Sequence, residues 1–142
     1  MVQPMYLLDT NIVSELRKGD RANPGVSDFF NQLIEQAAPA YISVITIGEL
    51  QRGVDLIRHR GDLAQANVLE TWLQILLDDY ADSILDFGKE EAQVWGRLRV
   101  PHPENSIDKQ IAATALVYGL TLITRNVQDF AATGVTLHNP CH

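Results

Sequence analysis

The chain has 142 residues, the size of a single domain able to bury a core of its own. A composition of 46% apolar and 20% charged residues is that of an ordinary globular protein and excludes disordered and fibrous classes. A formal charge of -7 argues against broad electrostatic attraction to nucleic acid, although clustered acids that hold divalent cations would inflate the same count. One cysteine, Cys141, leaves no internal disulfide framework and no cysteine metal knot. Without a membrane-length apolar run or the flanks of a signal peptide, residues 1–142 are expected to form one soluble cytoplasmic domain.

Met5-Tyr6-Leu7-Leu8 reads as a short strand buried on both faces, with Asp9 at its carboxyl end and Thr10-Asn11 leading into a helix to about Lys18. After the turn from Gly19 to Asn23, Pro24 suits a first helical position, and Val26, Phe29, Phe30, Leu33 and Ile34 recur at helical spacing. Tyr41-Ile42-Ser43 predicts a second strand. Val44 to about Arg60 follows as a helix carrying Glu49, and Asp62 to Asp79 as another, the two forming a helical hairpin. Ile84-Leu85-Asp86-Phe87 predicts a third strand and Gly88 to Arg99 a helix. Ser106 is the expected N-cap of a helix over Ile107–Tyr118, with an apolar stripe of Ile107, Ile111, Ala115 and Tyr118 and with Asp108 off that stripe. Leu120 to Thr124 makes a fourth strand, and Gly134 to His138 a short last one. Strands alternating with helices mean an α/β fold, with a short, mainly parallel sheet flanked by helices on both sides.

In such sheets ligands sit beyond the carboxyl ends of the strands, so acids placed there carry information. Asp9 ends the first strand, Glu49 lies on the helix after the second, Asp108 opens the helix before the fourth, and Asp129 follows that strand. Taken singly, each has a bland role: a cap for Asp9, an i,i+3 pair with Arg52 for Glu49, a helix-dipole partner for Asp108, a turn residue for Asp129. Four carboxylates meeting at one rim would repel one another, whereas hard ions such as Mg²⁺ or Mn²⁺ take oxygen ligands and retain water.

The segments Leu7-Leu8-Asp9-Thr10-Asn11, Ile47-Gly48-Glu49-Leu50, Ser106 to Ala115 and Leu122 to Phe130, in this order and spacing, resemble the PIN domain, and more narrowly the toxin ribonucleases of VapBC type. The resemblance runs through essentially the whole chain. It implies a Mg²⁺- or Mn²⁺-dependent endoribonuclease acting on structured RNA such as tRNA or rRNA, a cognate VapB-like antitoxin and a homodimer. It further implies Asp9 and Asp108 as principal metal ligands and Glu49 as completing the site. The fourth acidic position falls at Asn126 or Asp129. Asp129 is taken as the ligand and Asn126 as a neutral helper. Thr10 and Thr124, beside Asn11, would orient ligands or phosphate oxygens, and Arg125 would contact the RNA backbone.

Rival readings have weaker support. His59, His102, His138 and His142 lack metal-ligand spacing, and no phosphate-binding Gly-rich loop or nucleophile elbow is present. A small-molecule phosphatase would want an acid where Asn11 stands. A catalytically silent RNA- or protein-binding module would not need the four acids. Trp72 and Trp95 lie on helical stripes and read as packing residues. Arg17, Lys18, Lys109 and Arg125 are the cations nearest the acids in sequence.

Overall fold

The computed structural model describes residues 5–142. Its five described strands are β1 (Tyr6–Leu8), β2 (Ala40–Ser43), β3 (Ile84–Leu85), β4 (Thr121–Ile123) and β5 (Leu137–His138), all parallel, in the spatial order β3-β2-β1-β4-β5. Leu7 stands between Tyr41 and Leu122, and Leu8 beside Ile123. The chain builds outward from β1 to β3 on one side and then returns to place β4 on the other. The order therefore reverses between β1 and β4, and the crevice beyond their carboxyl ends is where such a sheet accepts a ligand.

Seven described helices cover the two faces: α1 (Thr10–Leu16), α2 (Pro24–Gln36), α3 (Val44–His59), α4 (Leu63–Asp79), α5 (Lys89–Leu98), α6 (Ser106–Tyr118) and α7 (Val127–Phe130). Side chains alternate along a strand, and the strands here divide accordingly. Leu8, Ile42 and Ile123 join Ile12, Val26, Phe29, Leu50 and Leu73 in a core under α1 to α4. Leu7 and Leu122 face the other way, against Ile111, Ala112, Ala115 and Phe130 of α6 and α7. α3 and α4 pack as the expected hairpin, and α5 lies along α6. Among the described residues no helix is long and apolar enough to cross a membrane.

Local chemistry sets the ends of these elements. Asn23 Oδ1 accepts the Gly25 N–H at 2.9 Å and Pro24 opens α2, as its fixed φ favours. Ser43 Oγ accepts the Ile45 N–H at 3.0 Å and starts α3 directly from β2. Gly119 closes α6 in the left-handed region at φ +67°.

Four expectations need correction, the first being the last strand, which spans only Leu137–His138 and not Gly134 to His138. The third strand is confined to Ile84–Leu85, because as an edge strand it pairs only with Ile42 and Ser43 of β2. Asn105, in the left-handed region, is the N-cap of α6, and Ser106 is its first helical residue, its carbonyl occupied by the Trp95 indole N–H at 3.0 Å. Of the expected α6 stripe, Ile111 and Ala115 are buried, but Ile107 and Tyr118 are 43% and 44% exposed, so the buried side is not that stripe as a whole. It runs through Lys109 and Ile111 to Ala115, because the sheet and α5 enclose the helix from two sides.

Candidate active site

Asp9 is the last residue of β1's extended run and the N-cap of α1, so one residue serves both the helix and the crevice. Its backbone N–H is held by the Ile123 carbonyl at 2.9 Å, which fixes it against β4. Its carboxylate is 4% exposed and fully engaged on the protein side. Oδ1 accepts the Thr10 N–H at 2.8 Å, while Oδ2 accepts the Thr124 hydroxyl at 2.7 Å and the Asn11 amide at 3.2 Å.

Thr124 follows β4 and is fully buried. It donates to Asp9 and accepts the Asn126 N–H at 3.0 Å, with the Asn11 amide at 3.4 Å. Asn11 in turn accepts the Arg125 N–H at 3.2 Å, so its amide bridges the ends of β1 and β4. This network fixes the position of Asp9 as a buried polar network can only when every member is satisfied.

Glu49 reaches the same place from the second turn of α3, and Asp108 from the first turn of α6. Together with Asp9, Thr10, Asn11, Ile107, Ile111 and Asn126 they line one cavity of about 310 Å³ at the strand ends. Asp129, on α7, is exposed and lines an adjoining hollow with Arg125, Asn126, Val127 and Gln128. Asn126 is common to both hollows. Asp129 nonetheless acts on the acids electrostatically, raising both Asp9 and Asp108.

Burial and neighbouring charge raise two of these carboxyls, Asp9 and Asp108. Burial pushes Asp108 from 3.8 up to about 6, helped by the charges of Asp9, Asp129 and Glu49. Burial also raises Asp9, opposed by the hydrogen bonds from Thr124, Thr10 and Asn11. Donors around the cavity are carboxylate, amide and hydroxyl oxygens, with neither histidine nor cysteine among the described lining residues. Such a set fits a hard divalent cation and not a soft one. Among the described residues no three acidic, histidine or cysteine side chains are already gathered tightly enough to enclose an ion. Unneutralised carboxylates repel, and an ion that keeps part of its water needs only one or two direct carboxylate ligands.

Two cations that sequence places beside the acids are engaged elsewhere. Arg125 turns its guanidinium to Glu15 at 3.3 Å, and the buried Lys109 donates its ammonium to the His102 carbonyl. Glu15 also holds Lys18 at 2.8 Å and accepts the Asn23 N–H at 2.7 Å; these contacts, Lys18 first, hold its carboxyl below the ordinary range. Sequence reasoning missed Thr46, fully buried on α3, whose hydroxyl accepts that of Thr10 at 3.2 Å. Its position three residues before Glu49 puts both on one helix face, which was the available signal. Ile107 was also missed as an apolar wall of the cavity.

Comparison with known proteins bears on the family and the fold. The PIN domain family matches residues 6–135. Toxin FitB of Neisseria gonorrhoeae is 35% identical over 97% of this chain and 99% of its own. VapC ribonuclease Y4jK of Sinorhizobium fredii is 29% identical over 96% of this chain and 97% of its own. The crystal structure of FitAcB from Neisseria gonorrhoeae superposes with a TM-score of 0.81 at 34% identity, covering 96% of this chain and 98% of the other. On a family match spanning nearly the whole described sheet and a full-length relative above 30% identity, the chain belongs to the PIN domain family.

Proposed function

We propose that this protein is a Mg²⁺- or Mn²⁺-dependent endoribonuclease and the toxin of a toxin–antitoxin pair. The observation that carries the reading is that Asp9, Glu49 and Asp108, from three separate elements, open into one oxygen-lined cavity at the β1/β4 reversal. Related chains named as a VapC ribonuclease and as a toxin support the activity and the biological role. The partner is a small antitoxin protein, the assembly a homodimer, and the compartment the cytoplasm.

In this reading Asp9 and Asp108 would hold the cation, with Glu49 and Asp129 completing its surroundings. A cation held there would lower the pKa of a bound water and would neutralise charge developing on the scissile phosphate. Thr124 and Asn11 keep the Asp9 carboxylate in one orientation, since both of their hydrogen bonds end on its Oδ2. Thr10, tied to Thr46, holds the start of α1 against α3, which keeps Glu49 facing Asp9 across the cavity. Glu49 is then placed to orient the attacking water and take its proton. Asn126 lends a neutral polar edge on the side of Asp129.

The test is incubation of antitoxin-free protein with total tRNA and rRNA, with Mg²⁺ or Mn²⁺ and with EDTA, and with Asp9→Ala alongside. Discrete, metal-dependent cuts that vanish in the variant are expected, and sequencing of the ends identifies the target. Full cleavage in EDTA, or by folded Asp9→Ala, would overturn the reading.

A further inference from the structure

Glu15 is an acid that the proposed chemistry leaves unused. It lies on α1, one helical turn beyond Asn11, and is buried at 6% exposure. A carboxylate taken from water in this way is kept only where other groups replace its hydration. Its Oε1 accepts the Asn23 N–H at 2.7 Å, and its Oε2 meets the Lys18 ammonium at 2.8 Å and the Arg125 guanidinium at 3.3 Å. Asn23 and Lys18 are local in sequence and hold the carboxylate near its own helix. Arg125 ties it to the far side of β1, at the end of β4.

That tie falls where the site is built. Thr124, before Arg125, donates to Asp9; Asn126, after it, lines the cavity; and Asp129 stands on the four-residue α7 that follows. The Arg125 N–H reaches Asn11 Oδ1 at 3.2 Å, while the Asn126 N–H ends on Thr124 Oγ1 at 3.0 Å and the Asp129 N–H on the Asn126 carbonyl at 3.0 Å. So short a helix has too few internal bonds to hold its own position, so its anchors decide where it sits. Phe130, fully buried against α6, anchors the far end. Glu15, through Arg125, anchors the near end, and Asn126 and Asp129 lie between the two. Cys141 also meets the guanidinium, but a thiol sulfur is a weak acceptor, which leaves Glu15 as the partner that holds it.

We propose that the Glu15–Arg125 pair is a positioning clamp that sets Asn126 and Asp129 at the edge of the acid cavity. The inference rests on the metal-site reading for the role of Asp129. Because Arg125 is exposed, the pair adds little net stability, and what it supplies is geometry. The guanidinium serves the site from behind instead of meeting a phosphate.

The experiment compares the full chain with Glu15→Gln, Arg125→Gln and the double variant. Gln at position 15 keeps the side-chain length and an acceptor for the Asn23 N–H but loses the charge that holds Arg125. In EDTA, amide hydrogen exchange followed by NMR becomes about tenfold faster at Arg125, Asn126 and Asp129 in each single variant. The Asp9 and Val13 amides, bonded to the Ile123 and Asp9 carbonyls, exchange as in wild type. In Mn²⁺ titrations the dissociation constant rises about tenfold, as expected when a partner behind a metal ligand is lost. The double variant binds no more weakly than either single one, because one contact has been removed from either end. In an Asn126→Ala/Asp129→Ala background, Glu15→Gln changes Mn²⁺ binding by less than about twofold. A merely structural Glu15 would weaken binding equally in both backgrounds, and Arg125→Gln would not reproduce its effect. Wild-type exchange at these three amides in both single variants, or an equal loss of Mn²⁺ affinity with and without Asn126 and Asp129, overturns the proposal. Wild-type protein that binds no Mn²⁺ overturns the metal reading, and the exchange rates in EDTA then decide the clamp by themselves.

Discussion

Replacing Asp108 by Asn should stabilise the metal-free protein while removing its response to metal. Burial first, and then the charges of Asp9, Asp129 and Glu49, hold the Asp108 carboxyl at about 6 against an ordinary 3.8. At 1.36 kcal/mol per pKa unit this gap corresponds to about 3 kcal/mol, and solvent screening of a part-exposed carboxyl reduces it to on the order of 1–2 kcal/mol. A raised folded-state value means that the folded chain holds the proton more tightly than the unfolded chain. Stability therefore falls as pH rises from 3.8 to about 6, and the full cost is present above that window. In EDTA near neutral pH, Asp108→Asn should unfold at higher urea than wild type by on the order of 1–2 kcal/mol, and the difference should vanish toward about pH 4. Trp72 and Trp95 fluorescence reports the transition. Saturating Mn²⁺ should reverse the order, since a ligand at a hundredfold over its dissociation constant adds about 2.7 kcal/mol to the chain that binds it. An Asn variant no more stable than wild type in EDTA, or a difference independent of pH, would refute the crowded-carboxylate argument.

The other perturbations act on neighbouring parts of the same structure. Asp9→Ala should abolish metal-dependent cleavage at a cost of about 1–3 kcal/mol, for the lost N-cap and the buried Thr124 hydroxyl left without its acceptor, read by thermal melting beside the RNA assay. Thr124→Val removes the 2.7 Å bond to Asp9 and leaves the Asn126 N–H without its acceptor, so a loss of about 1–3 kcal/mol is expected. The same change removes the largest influence holding the Asp9 carboxyl down, so the acid limb of the cleavage–pH profile should move to higher pH. Gly25→Ala would place a Cβ 1.9 Å from the Pro140 carbonyl oxygen, forcing the C-terminal segment off α2. Differential scanning calorimetry should show a loss of about 1–3 kcal/mol, with cleavage retained below the melting range because the acid cavity lies elsewhere.

Much of this arrangement is legible from local pattern. Leu7 and Leu8 read as a strand buried on both faces because they are, and an acid directly after such a strand has few places to go except the rim. Glu49 and Asp108 follow from the same topology. In sequence the local cap and the distant site are competing roles for Asp9, yet its two carboxylate oxygens divide between them, Oδ1 to Thr10 and Oδ2 to Thr124. What escapes local pattern is where side chains go when long-range packing decides. Arg125 sits beside Thr124 in sequence, but its guanidinium crosses to Glu15 because that buried acid offers a partner. A lysine such as Lys109 is ordinarily exposed, and only the fold shows the His102 carbonyl that satisfies it under the 101–105 loop. The stripe of α6 holds at Ile111 and Ala115 but misleads at Ile107 and Tyr118, because large apolar residues dominate the pattern, whereas close approach of the sheet and α5 selects the small Ala112, Ala113 and Thr114.

The most direct test of the account is a Mn²⁺ titration followed by electron paramagnetic resonance, on wild type, Asp9→Ala, Asp108→Ala and Asp129→Ala at the same ionic strength. If carboxylates from separate segments act as one cation site, wild type depletes the free Mn²⁺ signal, the Asp9 and Asp108 variants leave it nearly unchanged, and the Asp129 variant binds with intermediate affinity. Equal Mn²⁺ binding by wild type and by folded Asp9→Ala would contradict the account, because the carboxylate at the centre of the network would then play no part in holding the ion.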